Sequence, residues 1–171
     1  IYMRALLGGL PGRVTRIPLD RTAGGLVSDD GRRVAVAVDG GRTTVIWDLA
    51  AGREVARFPG TRVASRDLRA FAWSEGNGRI VMDVDGTRAV AAASTSVTLV
   101  PLATGRGGVL AYAERSASGD GLFLVKPGGP ARPIARLPPG ERVMGVGFDA
   151  SGTRLALGTT RQVRLWALED P

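Results

Sequence analysis

Cysteine and histidine are both absent from the 171 residues. Without cysteine there are no disulfides, no thiolate metal sites and no thiol chemistry, and the redox compartment stays undecided. Without histidine there is no Ser-His-Asp or Cys-His arrangement, no imidazole proton shuttle and no ordinary zinc site. Only carboxylate, tyrosine or single-lysine mechanisms remain, so the expectation is a protein that is not an enzyme. Lysine is nearly missing too: of 23 basic residues only Lys126 is a lysine. Aromatics make up 5% of the chain, so Val, Ala and Leu must build the core. Such a core suits tightly packed sheets better than a large ligand cavity. Long hydrophobic runs are also lacking. The longest apolar stretch, 89–103, is interrupted by Ser94, Thr95 and Ser96 and is too short to span a bilayer. Residues 1–7 have no proper n-region or cleavage site, so no signal peptide is read, no membrane partner is expected, and the cytoplasm is the expected location. The chain opens on Ile and not Met, as a fragment or a processed product would.

What is abundant is arginine and glycine. The formal charge is +7, and an arginine surplus suits acidic partners, phosphates or nucleic acid. The arginines are spread evenly with no block of like charge, which favours a soluble arginine-rich surface over a nucleic-acid patch. The 25 Gly and 10 Pro are scattered between apolar runs, as turns in a folded protein are. Arg-, Ala- and Gly-rich usage with almost no Lys points to a GC-rich bacterial genome.

Residues 23–58 set the pattern. Four short apolar segments are separated by three turn signals, at Asp30-Gly31, Asp39-Gly40-Gly41 and Ala51-Gly52. The run 33–38 is all small apolar residues after Arg33, which predicts a strand covered on both faces. In 43–49, Thr43, Val45, Trp47 and Leu49 alternate with Thr44, Ile46 and Asp48. Four strands in about forty residues, with Trp-Asp closing the third, is the composition of one propeller blade. Two further stretches superpose on it, 80–102 and 144–168. In that alignment Gly31, Gly86 and Gly152 coincide, as do Trp47, Val100 and Trp166. The glycines are 55 and 66 residues apart, more than the ~40–45 of one repeat, so extra strands lie between, at 68–74, 109–114, 122–126 and 132–137.

The expected organisation is an arm at 1–12 and a repeat domain at 13–171. Within it, 13–19 is an orphan outer strand, 23–58 the first blade, 61–140 two irregular blades and 142–171 the last. Between 61 and 129 two registers fit, the second blade starting with 68–74 or with 78–84. The segments 53–60 (REVARFPG) and 132–140 (RPIARLPPG) share an Arg-x-apolar-Ala-Arg-apolar-Pro pattern and read as outer edge strands, where Pro and Arg are tolerated. The segment 13–19 (RVTRIPL) is like them, and a strand from the start of the chain could complete the last blade. The fold class is therefore all-β, a propeller of about four blades of four antiparallel strands, self-closed or half of a larger ring.

The pieces LVSDDGRRVAVAVDGGRTTVIWDLAAG and VGFDASGTRLALGTTRQVRLWAL resemble WD40-type β-propeller repeats. The family's Gly-His pair is absent, and Trp-Asp is complete only at Trp47-Asp48, with Trp166-Ala167 and Val100-Pro101 elsewhere. The resemblance is thus to a divergent member. It implies a scaffold presenting a rigid loop face to another protein or domain, and more blades than four in the usual ring, hence self-association of two copies as one way to complete it.

Asp83-Val84-Asp85-Gly86 opens like a calcium loop, but no later acid or closing Glu follows, so it reads as a turn and no metal is assigned. Gly105-Arg106-Gly107-Gly108 is one arginine–glycine unit between apolar strands, again a turn. No glycine-rich loop is followed by Lys-Ser or Lys-Thr, so no nucleotide cofactor is expected. Trp47 and Trp166 sit at repeat-equivalent strand positions and read as core. Trp73 is less tied to the repeat and is kept as a stacking candidate. In a blade of this kind, the hairpins between second and third strands and the connections between blades share one face. Those loops carry Arg42, Arg62, Arg66, Arg142 and Arg161, the candidate binding residues for an acidic peptide or phosphate. A second reading is an enzyme or small-ligand binder using Asp39, Asp85, Asp120 and Glu141 at the channel mouth. A third is arginine-mediated nucleic-acid binding.

Overall fold

The computed structural model describes residues 2–7, 10–19, 21–76, 78–149 and 151–168. Among them the secondary structure is seventeen strands and one 3-10 turn, in two compact units, residues 1–62 and 63–171.

The first unit opens on a hairpin of β1 (Tyr2–Leu7) and β2 (Leu10–Arg16). This corrects the reading of 1–12 as an arm and 13–19 as an orphan strand. Residues 2–7 are themselves a strand-length run, and pairing neighbours along the chain satisfies both backbones at small loop-closure cost. The hairpin is followed by β3 (Gly24–Val27), β4 (Arg33–Val38), β5 (Thr43–Asp48) and β6 (Arg53–Pro59), one antiparallel sheet in chain order. Register pairs Val34 with Trp47 and Val36 with Val45. That places Val34, Val36, Val38 and Val45 on one face, where Ile17 and Leu19 pack on them. Ala35, Ile46 and Thr44 on the opposite face are buried too. Both faces of β4 are covered, which is why the segment carries no alternation.

The second unit holds three sheets. Strands β7 (Val63–Ala64), β8 (Ala70–Glu75), β9 (Arg79–Val84) and β10 (Thr87–Ala93) form the first. The second is β11 (Thr98–Thr104), β12 (Leu110–Ser116), β13 (Gly119–Val125) and β14 (Arg132–Arg136), with the 3-10 turn at Arg106–Gly108. The third has three strands, β15 (Val143–Phe148), β16 (Arg154–Thr159) and β17 (Val163–Ala167).

Each sheet buries a face on the next. Ala72, Ile80 and Met82 pack against Leu99, Leu110, Tyr112 and Val125. Ala111, Ala113, Leu122 and Leu124 pack against Leu155 and Leu157, with Val146, Phe148 and Trp166 around them. Strand β12 alternates between these two cores, so Leu110 through Ala113 are all buried. Tyr112 stacks on its cross-strand partner Phe123 with ring centres 5.4 Å apart. The position of Leu122 on β13 corresponds to that of Leu165 on β17, which is 77% exposed.

The second unit begins its first sheet at Val63, with 70–75 as its second strand and 79–84 as its third, so neither of the two registers left open for 61–129 is the one adopted. The three-copy superposition is corrected as well. Gly31 lies between β3 and β4 and Gly152 between β15 and β16, but Gly86 lies between β9 and β10. Val100 is on the first strand of its sheet, whereas Trp47 and Trp166 are on the third. Apolar runs recur about every ten residues here, so a slip of two strands still matches them. A polar lock marks the true equivalence. The Ser28 hydroxyl donates to Asp30 Oδ1 at 2.6 Å and accepts from Arg33 N at 2.9 Å. Ser65 does the same with Asp67 and Ala70 N, at 2.5 and 2.9 Å. At the third site the residues trade places: Asp149 accepts from the Ser151 hydroxyl at 2.7 Å and from Arg154 N at 3.0 Å.

Candidate ligand-binding cleft

In each sheet the chain arrives at one end of the first strand, and the hairpin between second and third strands returns to that end. In the second unit these arrival ends enclose a cleft of about 1460 Å³. Four segments wall it: the β8–β9 hairpin with Glu75 and Arg79, the β10–β11 connection at 94–97, the β12–β13 hairpin with Arg115 and Ser116, and the approach to β15 with Arg142 and Met144. Val97, Leu99, Val100 and Val143 give it an apolar lining.

The walls are held by local chemistry. Gly78 sits at φ +67°, and a Cβ there would lie 2.0 Å from the Ser94 carbonyl oxygen. The hairpin tip therefore presses directly on the connection, and Ser94 N donates to Gly78 O at 2.9 Å. Ser94 Oγ then accepts from Ser96 N and Val97 N, at 3.2 and 3.3 Å, which turns the chain into β11.

Asp120 is the pivot. Its carboxylate is 0% exposed at the start of β13. Gly119 before it has φ +121°, with the Leu137 carbonyl 2.5 Å from where a Cβ would be. Oδ1 accepts from Arg142 Nη1 at 2.6 Å, and Oδ2 accepts from Val143 N at 3.0 Å. Arg115 Nε stands 3.9 Å from Oδ2. Arg142 Nη1 also donates to Ser116 O at 3.1 Å. Both guanidinium groups stay half in solvent, 44% exposed at Arg115 and 45% at Arg142. One buried carboxylate thus holds two arginines that both line the cleft.

Glu141, 1% exposed, accepts from the Thr159 hydroxyl at 2.5 Å. That bond, opposed by burial and aided by Arg164 and Arg161, holds its carboxyl below the usual glutamate value. It fastens the approach to β15 onto the β16–β17 hairpin, as does Thr160 N donating to Arg142 O at 3.0 Å.

The candidate arginines are distributed as follows. Arg42 and Arg62 belong to the first unit, where Gly60 N donates to Arg42 O at 2.7 Å, Arg62 N donates to Thr44 Oγ1 at 2.9 Å, and the Arg62 guanidinium lies 4.4 Å over the Phe58 ring. Arg142 and Arg161 lie at the arrival end of the last sheet, and only Arg142 lines the cleft. Arg66 was placed in a connection; it follows the two-residue β7 and so lies in the β7–β8 turn, at the far end of that sheet. Trp73 is 9% exposed, and Arg88 covers its ring at 4.9 Å, so it is a core residue rather than an open stacking platform. Of the candidate carboxylates, Asp85 pairs with Arg69 at 2.9 Å, and Gly86 N donates to neighbouring Asp83 at 3.0 Å. Among the described residues no three acidic groups cluster to hold a metal.

Arg79 and Arg115 escaped the sequence reading, because they occupy strand ends and not loops. A signal for the pivot was present: Pro-Gly-x-Arg-Val recurs at 59–63 and 139–143. In the first copy Thr44, at the same strand position as Asp120, accepts from Arg62 N and donates to Gly60 O at 2.8 Å.

The chain matches no family profile and no curated protein. Solved structures are similar. A chain of the nidogen/laminin complex matches with a TM-score of 0.68 and 17% identity, over 96% of this chain and 69% of its own length. The Cps50 (Swd1) β-propeller domain of Myceliophteria thermophila gives 0.65 and 15%, over 94% of this chain and 56% of that one. TolB from Acinetobacter baumannii gives 0.63 and 12%, over 87% and 41%. This chain thus spans between about two fifths and two thirds of their lengths. At these identities the likeness bears on architecture, and the architecture is that of β-propeller blades, four of them here.

Proposed function

We propose that the protein is a non-catalytic interaction module that receives an extended segment of another protein in the cleft of the second unit. The observation that carries this is the cleft itself, a recess of about 1460 Å³ built from the arrival ends of three sheets and open to solvent at exposed residues such as Thr95, Ala117 and Met144. Its walls are short hairpins on rigid strands, which present side chains with little ordering cost on binding. The non-catalytic reading is supported by the engagement of its carboxylates: Asp120 is bound to Arg142, Glu141 to Thr159 and Asp85 to Arg69. The similarity of the Swd1 propeller and of the nidogen/laminin complex is in keeping with a partner that is a protein. We read the chain as a divergent WD40-type scaffold on the motifs at Trp47-Asp48 and Trp166-Ala167, and as bacterial on its Arg-, Ala- and Gly-rich composition with a single lysine.

The test is a library of extended peptides screened against the wild type and against Ala117→Trp, which fills the cleft mouth. Peptides retained by the wild type and lost by the variant are the expected result. Peptides bound equally by both, or none bound, would overturn the assignment.

A further inference from the structure

Resting on that reading, we propose that the cleft recognises a peptide carboxylate, an Asp or Glu side chain followed by an apolar residue. Arg115 and Arg142 are its donors, and Asp120 is a positioning residue behind them. Arg142 spends Nη1 on Asp120 and on Ser116 O, and Arg115 directs Nε toward the same carboxylate and donates from Nη2 to Val143 O at 3.5 Å. The planar fork leaves further N–H groups on each arginine, and a carboxylate is the partner that accepts two of them at once.

Charge counting selects a singly charged group. Arg115, Arg142 and the buried Asp120 sum to +1, and across the cleft Glu75 binds Arg88 and lies 3.9 Å from Arg79. A dianionic group at Arg115 and Arg142 would exceed the +1 that these two arginines and Asp120 carry together by one charge. The apolar lining supplies the second half of the recognition. Val97, Leu99 and Val143 line the recess beside the arginines, and Met144 stands exposed at its lip. A nucleic-acid backbone has nothing to bury there, whereas a Leu or Val next to the acid does.

The experiment is calorimetric titration of the intact chain with a blocked peptide carrying glutamate followed by leucine, and with its glutamine isostere. The glutamate peptide is expected to bind ~10-fold or more tightly than the isostere, as the loss of a charge-assisted bidentate contact requires. Arg115→Gln should abolish that ratio, and Arg115→Lys should restore only part of it. Arg115 stands 3.9 Å from Asp120 and donates from Nη2 to Val143 O at 3.5 Å, so its loss leaves the 2.6 Å Asp120–Arg142 bond in place. Equal binding of both peptides, blocked by Ala117→Trp, would overturn the carboxylate assignment and leave the peptide cleft standing. Competition by inorganic phosphate or by a single-stranded oligonucleotide at the peptide's own concentration would also overturn it. No binding of either peptide, together with an empty library screen, would remove both.

Discussion

Asp120 and Arg142 meet at 2.6 Å, the carboxylate fully buried and the guanidinium half in water. The pair joins the β12–β13 hairpin to the approach to β15. Asp120→Ala would leave Val143 N without its acceptor and the Arg142 guanidinium without its carboxylate, keeping only its bond to Ser116 O. Breaking a buried pair from its buried side costs ~3–5 kcal/mol, and an exposed partner reduces that, so a loss of ~2–4 kcal/mol is expected in urea unfolding. Arg142→Ala should cost less, ~1–2 kcal/mol, because Asp120 keeps the Val143 amide and the nearby Arg115. Equal costs for the two variants would contradict this asymmetry.

Gly78 and Gly31 share a φ of +67°, yet only Gly78 is crowded. Gly31→Ala meets open space and should cost only the backbone penalty of about 1 kcal/mol. Gly78→Ala must move the Ser94 carbonyl and should cost ~2 kcal/mol or more. It should also perturb the cleft. Comparable unfolding midpoints for both variants would argue against the close hairpin contact.

Acid should destabilise the protein through its turn carboxylates. Asp30 is held below the ordinary 3.8 chiefly by the Ser28 hydroxyl, and Asp149 chiefly by the Ser151 hydroxyl. A folded value below the unfolded one means the stabilisation is complete above the unfolded value and is lost as pH falls through the folded one. Thermal midpoints should therefore drop as pH goes below about 4. The double variant Asp30→Asn, Asp149→Asn should start lower at pH 7 and fall less steeply between about pH 5 and 2. Parallel curves for wild type and variant would refute the role of these turns.

Leu122 and Leu165 occupy corresponding strand positions with opposite surroundings. Leu122 is fully buried against the last sheet, and Leu165 is exposed. Leu122→Ala should cost ~2–4 kcal/mol and Leu165→Ala under about 0.5 kcal/mol. Leu165→Ser should in addition lower the binding of a hydrophobic dye to the native protein.

The propeller blades were legible because their signals are local. Asp30-Gly31 and Asp39-Gly40 mark reversals, and the unalternating run 33–38 marks a strand buried on both faces. Register was less legible. Gly86 follows an Asp just as Gly31 does, and only the Ser28–Asp30 and Ser65–Asp67 locks separate the two kinds of turn. Arg142 could be placed from its connection, but Arg115 and Arg79 could not. Their roles depend on which strand ends meet, and side chains far apart in the chain decide that. Trp73 looked detached from the repeat because its partner, Arg88, lies two strands on.

The two Pro-Gly-x-Arg-Val joints differ at one interior position. Thr44 fastens the first by neutral hydrogen bonds, and Asp120 fastens the second with a charge that also captures an arginine side chain. The glycines of the joints, Gly60 and Gly140, are 80 residues apart, so the joint recurs every two blades. Duplicated joints of this kind give divergence a short route. A single exchange of hydroxyl for carboxylate at the fastening position recasts an obligatory clasp as an arginine mount, and the loops around it keep their length.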